Sequence, residues 1–195
     1  RQGIQTLMQT PGITFHNGKA RFANGDAHTV EVGGETLKAD YVIVATGSVP
    51  KFLPIPGAHT PGVITSTEML QLTEVPKRLC VIGGGVIGLE IATVFRSLGA
   101  EVTIIEISDR LLPNMDLEFS DALEDILTER GVHIYKESIL EHITEAQTGL
   151  GCQFVWQGET REVQVEVVLM SVGRSADTDG LFDANVPIKL ERGKV

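Results

Sequence analysis

A chain of 195 residues with 42% hydrophobic content is large enough to bury a full core in one or two domains. Its net charge of −10, with no basic run, argues against nucleic acid or an anionic membrane surface as a partner. No apolar stretch has the length of a membrane span, no signal peptide is visible, and two widely separated cysteines suggest neither a metal site nor a disulfide framework; a reducing, cytoplasmic setting fits these features.

In chain order the sequence predicts a helix over 1–9, then short strands over 13–16, 19–22, 28–32, 35–38 and 41–44. Asn17-Gly18, Asn24-Gly25-Asp26 and Gly33-Gly34 supply the turns between them. Residues 51–62 carry Pro54, Pro56 and Pro61, directly after Pro50, and read as a linker. Thr65-x-x-Glu68 has the pattern of a capping box for a short helix through Leu72, which Val75-Pro76 ends.

The second half is more regular. A strand over 78–82 precedes a helix over 86–98, in which Ile87, Ile91, Val94, Phe95 and Leu98 recur at helical spacing before Gly99. A strand over 101–106 and a helix over 117–130 follow, the latter with Phe119, Leu123, Ile126 and Leu127 expected on one face. A third strand over 132–136 leads into a meander over 139–144, 151–157 and 160–165. The run Val167–Val172 reads as a fully buried parallel strand that stops at Gly173. This β-α-β-α-β order gives an α/β fold, a Rossmann-like parallel sheet with a β-meander, and ligands in such sheets bind outside the strand carboxyl ends.

One junction carries specific chemistry. Leu79-Cys80-Val81-Ile82 runs straight into Gly83-Gly84-Gly85-Val86-Ile87-Gly88, a G-x-G-x-x-G between a strand and a helix. Gly83 permits the tight turn, Gly85 lets backbone amides approach a pyrophosphate, and Gly88 lets the helix lie close on the sheet. The helix start offers free N–H groups and a partial positive charge. Glu106, closing the next strand, stands where an adenine ribose would present its hydroxyls. Read alone, Glu90 is also a carboxylate near a helix start, favoured there by the dipole, and Glu106 a solvated strand-end charge. His16, His28, His59, His133 and His142 are scattered and form no pair, and Asp125 and Glu129 sit at a spacing that suits a solvated helix face. No nucleophile–base arrangement can be assembled, so no catalytic residue and no metal ligand is assigned.

A second constellation, Tyr41-Val42-Ile43-Val44-Ala45-Thr46-Gly47-Ser48-Val49-Pro50, is an apolar strand ending in a small-residue turn. Together with His16–Phe22, Ser66-Thr67-Glu68, Val81–Glu90, Val102–Pro113 and Val167–Arg174, it makes the chain resemble the central part of a flavin-dependent pyridine nucleotide–disulfide oxidoreductase. Among these it is most similar to the dihydrolipoamide dehydrogenases. The resemblance implies an NAD-binding domain over 63–176 inserted into a discontinuous, β-rich FAD-binding domain, of which 1–62 and 177–195 are parts. It implies that Gly83, Gly84, Gly85, Val86, Ile87, Gly88, Leu89 and Glu90 hold NAD, with Glu90 towards the nicotinamide half. Glu106 would take the adenine ribose, Leu140 would cover the adenine and Gly173 would line the nicotinamide side. Gly18, Thr46, Gly47 and Ser48 would contact FAD.

The family's redox C-x-x-x-x-C, first FAD glycine motif and His-Glu pair are not in this sequence, and its usual Gly-Arg-x-Pro is here Gly173-Arg174-Ser175-Ala176. Both ends look cut, and the chain alone is expected to be inactive. The implied parent enzyme oxidises a small or lipoyl-domain dithiol with NAD, through FAD and a redox disulfide, as a homodimer. NADH oxidase, coenzyme A disulfide reductase, mercuric reductase and a non-catalytic dinucleotide-binding regulatory module are the alternatives.

Overall fold

The computed structural model describes residues 2–183, 185–191 and 193–195; Arg1, where the expected first helix begins, lies outside them. The chain divides into two compact units, Arg1–Val49 with Ala176–Val195, and Pro50–Ser175. Two short strands, β4 (Ser48–Pro50) and β13 (Arg174–Ala176), carry the chain across the two boundaries.

The first unit opens with α1 (Gln2–Leu7) and a three-stranded antiparallel sheet of β1 (Arg21–Phe22), β2 (Thr29–Val32) and β3 (Glu35–Lys38), in that order. Its core is small. Phe22, Leu181 and Val186 are buried, and the Phe22 and Phe182 rings stack at 5.2 Å. Residues 13–16 and 41–44, expected as strands, have no strand conformation here. The alternation that suggested one is real at 41–44: Val42 and Val44 pack on the core while Tyr41 and Ile43 are 89% and 90% exposed. What is missing is a neighbouring strand to complete the hydrogen-bond ladder, without which an alternating pattern does not become a strand.

The second unit is built on a five-stranded parallel sheet in the order β5-β12-β6-β7-β8: β5 (Val63–Ile64), β6 (Arg78–Ile82), β7 (Glu101–Ile105), β8 (His133–Tyr135) and β12 (Val167–Met170). Between the strands run α2 (Ser66–Met69), α3 (Val86–Ser97) and α4 (Leu117–Glu129), and an antiparallel meander of β9 (Ile139–Ala146), β10 (Gly149–Trp156) and β11 (Glu159–Val165). Strand side chains alternate between two faces, so each buried strand feeds two cores. Leu79, Val81, Val102, Ile104 and Leu169 meet Leu89, Ala92, Phe95 and Leu127 of α3 and α4. Cys80, Ile82, Ile105, Val168 and Met170 meet Leu140, Ile143, Leu150, Cys152 and Phe154 of the meander. This two-sided burial explains why β6 and β12 read as unbroken apolar runs. Each fully buried Leu, Ile or Phe contributes about 1.5–3 kcal/mol relative to exposure.

The ends of α3 and α4 are set locally. Ala100 N–H reaches back to Phe95 O at 3.0 Å after Gly99, closing α3 in a Schellman-type turn. Arg96 then ties the two helix ends together, donating from Nε to Arg130 O at 2.6 Å and from Nη1 to Ala100 O at 3.1 Å. On α4 the expected apolar face needs correction: Leu127 and Ser120 are buried and Leu123 half-buried, whereas Phe119 and Ile126 are exposed. Residues 51–62 carry no helix or strand, yet Leu53 and Ile55 pack on the meander-side core. Pro56 O accepts from Ile143 N–H at 3.0 Å beside Gly57, where an added Cβ would lie 1.8 Å from Ile143 O. Among the described residues no helix is long and apolar enough to cross a membrane.

Candidate functional site

The strand order reverses between β12 and β6, and the carboxyl ends of β12, β6 and β7 open there into a pocket of about 670 Å³ within the second unit. Open α/β sheets bind ligands at such switch points, and the volume suits a drug-sized or nucleotide-sized molecule. Gly83, Gly85, Val86 and Ile87 line it from the turn and the start of α3, together with Glu106, Ile107, Leu140, Met170 and Gly173. Arg174 also lines it.

The turn after β6 is fixed from three directions. Gly83 adopts φ +102°, a conformation that favours glycine, and its N–H donates to Ile105 O at 2.9 Å. A Cβ here would meet Ser171 O at 2.7 Å. Just after β12, the Ser171 hydroxyl donates to Ile82 O at 2.7 Å and contacts Gly83 O at 3.1 Å. Gly84 N–H donates to the Glu106 carboxylate at 2.5 Å, and Gly84 O accepts from Leu112 N–H at 2.9 Å. Gly88 brings α3 down onto the turn: a Cβ there would stand 2.3 Å from Gly83 O.

Gly85 is the exception. It is the N-cap of α3, in extended conformation with no side-chain cap bond, and a Cβ built on it meets nothing within 4 Å. It lines the pocket, so the start of α3 presents main chain rather than a side chain to whatever lies there. The first N–H groups of a helix have no intrahelical partner and carry the positive end of its dipole. Such an edge takes a diphosphate, and the bare cradle at Gly85 fits one.

Glu106 is 6% exposed, and its two carboxylate oxygens are held by different backbone donors. Oε2 accepts from Gly84 N–H, and Oε1 accepts from Ser108 N–H at 2.7 Å. An ionised carboxylate has about four lone-pair sites, so it retains acceptor capacity for hydroxyls in the pocket while its orientation is fixed. The neighbouring cation Arg110 is engaged elsewhere, donating from Nη2 to Pro113 O at 2.8 Å.

Of the residues singled out in the sequence, Gly83, Gly85, Val86, Ile87, Glu106, Leu140 and Gly173 line this pocket. Gly84 is buried against Leu111 and Glu106, while Gly88 and Leu89 are buried residues of α3 itself. Glu90 is exposed and lines a second apolar groove along α3 with Val94 and Met115. In the first unit, Gly18 lies close to Val32, and Thr46, Gly47 and Ser48 are exposed, with Gly47 O accepting from Asp177 N–H at 3.0 Å. Among the described residues no group of three His, Cys, Asp or Glu is placed to hold a metal ion. The sequence reading missed Ser171, Ser108, Leu53 and Ile55. A lone hydroxyl closing an apolar strand was the available signal for Ser171, whereas Ser108 acts through its main chain, which no side-chain pattern records.

The whole chain, residues 1–195, matches the pyridine nucleotide-disulphide oxidoreductase family. It is 34% identical to a dihydrolipoyl dehydrogenase of Acholeplasma laidlawii over 99% of this chain and 56% of that protein. It is 36% identical to a mercuric reductase of Lysinibacillus sphaericus over 92% of this chain and 33% of that protein. Among solved structures, the HOCl-induced flavoprotein disulfide reductase RclA of Escherichia coli superposes with a TM-score of 0.86 at 30% identity, covering 98% of this chain and 43% of that one. The chain thus spans about half or less of the length of these relatives.

Proposed function

The chain belongs to the pyridine nucleotide-disulphide oxidoreductase family of flavoproteins, and from that membership we propose that residues 63–176 are its NAD-binding domain and that the flanking residues are parts of an FAD-binding domain. The observation that carries the reading is the pocket at the ends of β6, β7 and β12, where a side-chain-free helix start and a locked carboxylate face the same cavity. The first turn of α3 holds the pyrophosphate, Glu106 accepts from the adenine ribose hydroxyls, Leu140 covers the adenine, and Gly173 leaves room beside the nicotinamide. Glu90 lines the groove beside Val86 rather than this pocket and is given no contact in it.

Bound NAD supplies a hydride-accepting ring; the residues of this chain bind and orient it and exclude water from its apolar walls. In a protein of the relatives' length the reaction would be oxidation of a dithiol, in the manner of the dihydrolipoyl dehydrogenase relative, with FAD between the dithiol and NAD. This chain alone supplies no such chemistry, because its two cysteines are both buried in the core.

Glu106 also makes NAD the preferred nucleotide. A 2′-phosphate would meet a fixed carboxylate at contact distance, a repulsion on the order of a few kcal/mol at an effective dielectric near 20. Rearrangement reduces that to roughly ten- to a hundredfold discrimination. Calorimetric titration of NAD and NADP into the wild-type chain should show this gap, and Glu106→Ala should weaken NAD and narrow it. A thermal melt of the variant checks that freeing the Gly84 and Ser108 amides has not unfolded the turn. Equal binding of the two nucleotides by the wild type would remove Glu106 from the ribose site.

A further inference from the structure

The chain has two cysteines, distant in sequence, and the fold brings them together. Cys80 is in the middle of β6, the central strand of the parallel sheet, and Cys152 is in β10, the central strand of the meander that covers it. Both are completely buried in the same core, and the Cys152 thiol lies beside Cys80 closely enough to raise its pKa. Nothing in the dinucleotide site needs either sulfur.

We propose that Cys80 and Cys152 are a modification site: a hydroperoxide converts them to a disulfide that staples the meander to the sheet. A thiolate of one attacks the peroxide oxygen, forming an S–O bond as the O–O bond breaks and hydroxide leaves to become water. The second thiol attacks the sulfenic sulfur, forming the S–S bond as the S–O bond breaks. Its proton leaves with the departing hydroxide as a second water. Two thiols lose two electrons and the peroxide gains them. A disulfide needs its Cβ atoms about 3.8 Å apart. Cys80 and Cys152 enter one core from facing layers, so that approach takes place within the core they share.

Contact with Cys152 and complete burial push the Cys80 thiol well above its ordinary range, so thiolate is scarce while the layers are closed. Oxidation therefore proceeds through opening of the meander and is slow in the native state. Once one sulfur is oxidised, its neighbour traps it before an external thiol can enter. Cys152 is paired with Ile143 of β9, the strand that carries Leu140 into the pocket, so the staple acts on a wall of the site.

The test uses the 195-residue chain treated with hydrogen peroxide, with and without sub-denaturing urea. The expected result is an intact mass lower by two hydrogens, formed faster in urea, and a non-reduced peptide map joining the Cys80 and Cys152 peptides. Closing a loop of roughly 70 residues should raise the melting temperature by on the order of 10 °C, reversed by dithiothreitol. Cys152→Ala should instead gain a dimedone-trappable oxygen at Cys80 and show no such rise. The proposal is overturned if both thiols remain alkylatable after the treated wild type is unfolded, or if the only cross-links join separate chains. The wild-type mass and alkylation results decide it even if the variant does not fold.

Discussion

A methyl group added at Gly88 would stand 2.3 Å from Gly83 O and 2.7 Å from the Ser171 hydroxyl, whereas one added at Gly85 meets nothing within 4 Å. Two glycines of one motif are therefore constrained for different reasons, one by packing and one by what the pocket must hold. Gly88→Ala should cost about 1–3 kcal/mol, read from urea unfolding, because the helix must lift off the strand end. Gly85→Ser should leave stability unchanged or raise it by roughly a few tenths of a kcal/mol, since serine is a slightly better N-cap. The same hydroxymethyl would occupy the space of the pyrophosphate, so dinucleotide affinity by calorimetry should fall at least about tenfold. A variant that is both more stable and still binds would break the link between Gly85 and the nucleotide.

At the scale of elements, the capping box on α2 gives a pH signature. The Thr65 hydroxyl and backbone N–H both donate to the Glu68 carboxylate, holding its pKa below the ordinary carboxylate range. A depressed folded-state pKa favours folding when the group is ionised. Its contribution is present above the unfolded pKa and is lost as pH falls through the folded one. Denaturant melts of wild type and Glu68→Gln should therefore differ most near neutral pH and converge in acid. On α4, Leu127→Ala should cost about 2–4 kcal/mol, while Phe119→Gln on the exposed face should stay within about 0.5 kcal/mol. Comparing their urea midpoints checks which stripe is buried. That stripe was not legible beforehand because apolar residues occupy both sides of α4, and one buried position is Ser120, whose hydroxyl donates to Leu111 O at 2.7 Å. Boundaries were legible where the chain announces them locally, as at Thr65, Gly99 and the start of β6. Residues 41–44 failed for the opposite reason: alternation is a property of one segment, but a strand is a property of two.

For the molecule as a whole, the second unit should resist opening far longer than the first. Val81 and Ile104 lie in paired strands covered on both faces, while residues 13–22 have few buried side chains and only two residues in a strand. Hydrogen exchange should protect Val81, Ile82, Ile104 and Ile105 well beyond Ile13–Phe22; equal protection would mean the two units open together. The part of the site supplied by Leu53 and Ile55 was hidden because four prolines within 50–61 suggested a passive connection, and only the fold shows the segment pressed against β9 at Gly57. The same region has a topological consequence. Lys51 N–H donates to Gly173 O at 3.0 Å, so the second unit begins and ends at one place, and Gly47 O receives Asp177 N–H at 3.0 Å, so the first unit is likewise closed where it is interrupted. Each unit has adjoining ends. The second can be lifted out as a cassette, grafted into a surface loop of an unrelated host, or joined end to end and reopened elsewhere, with little cost in loop closure.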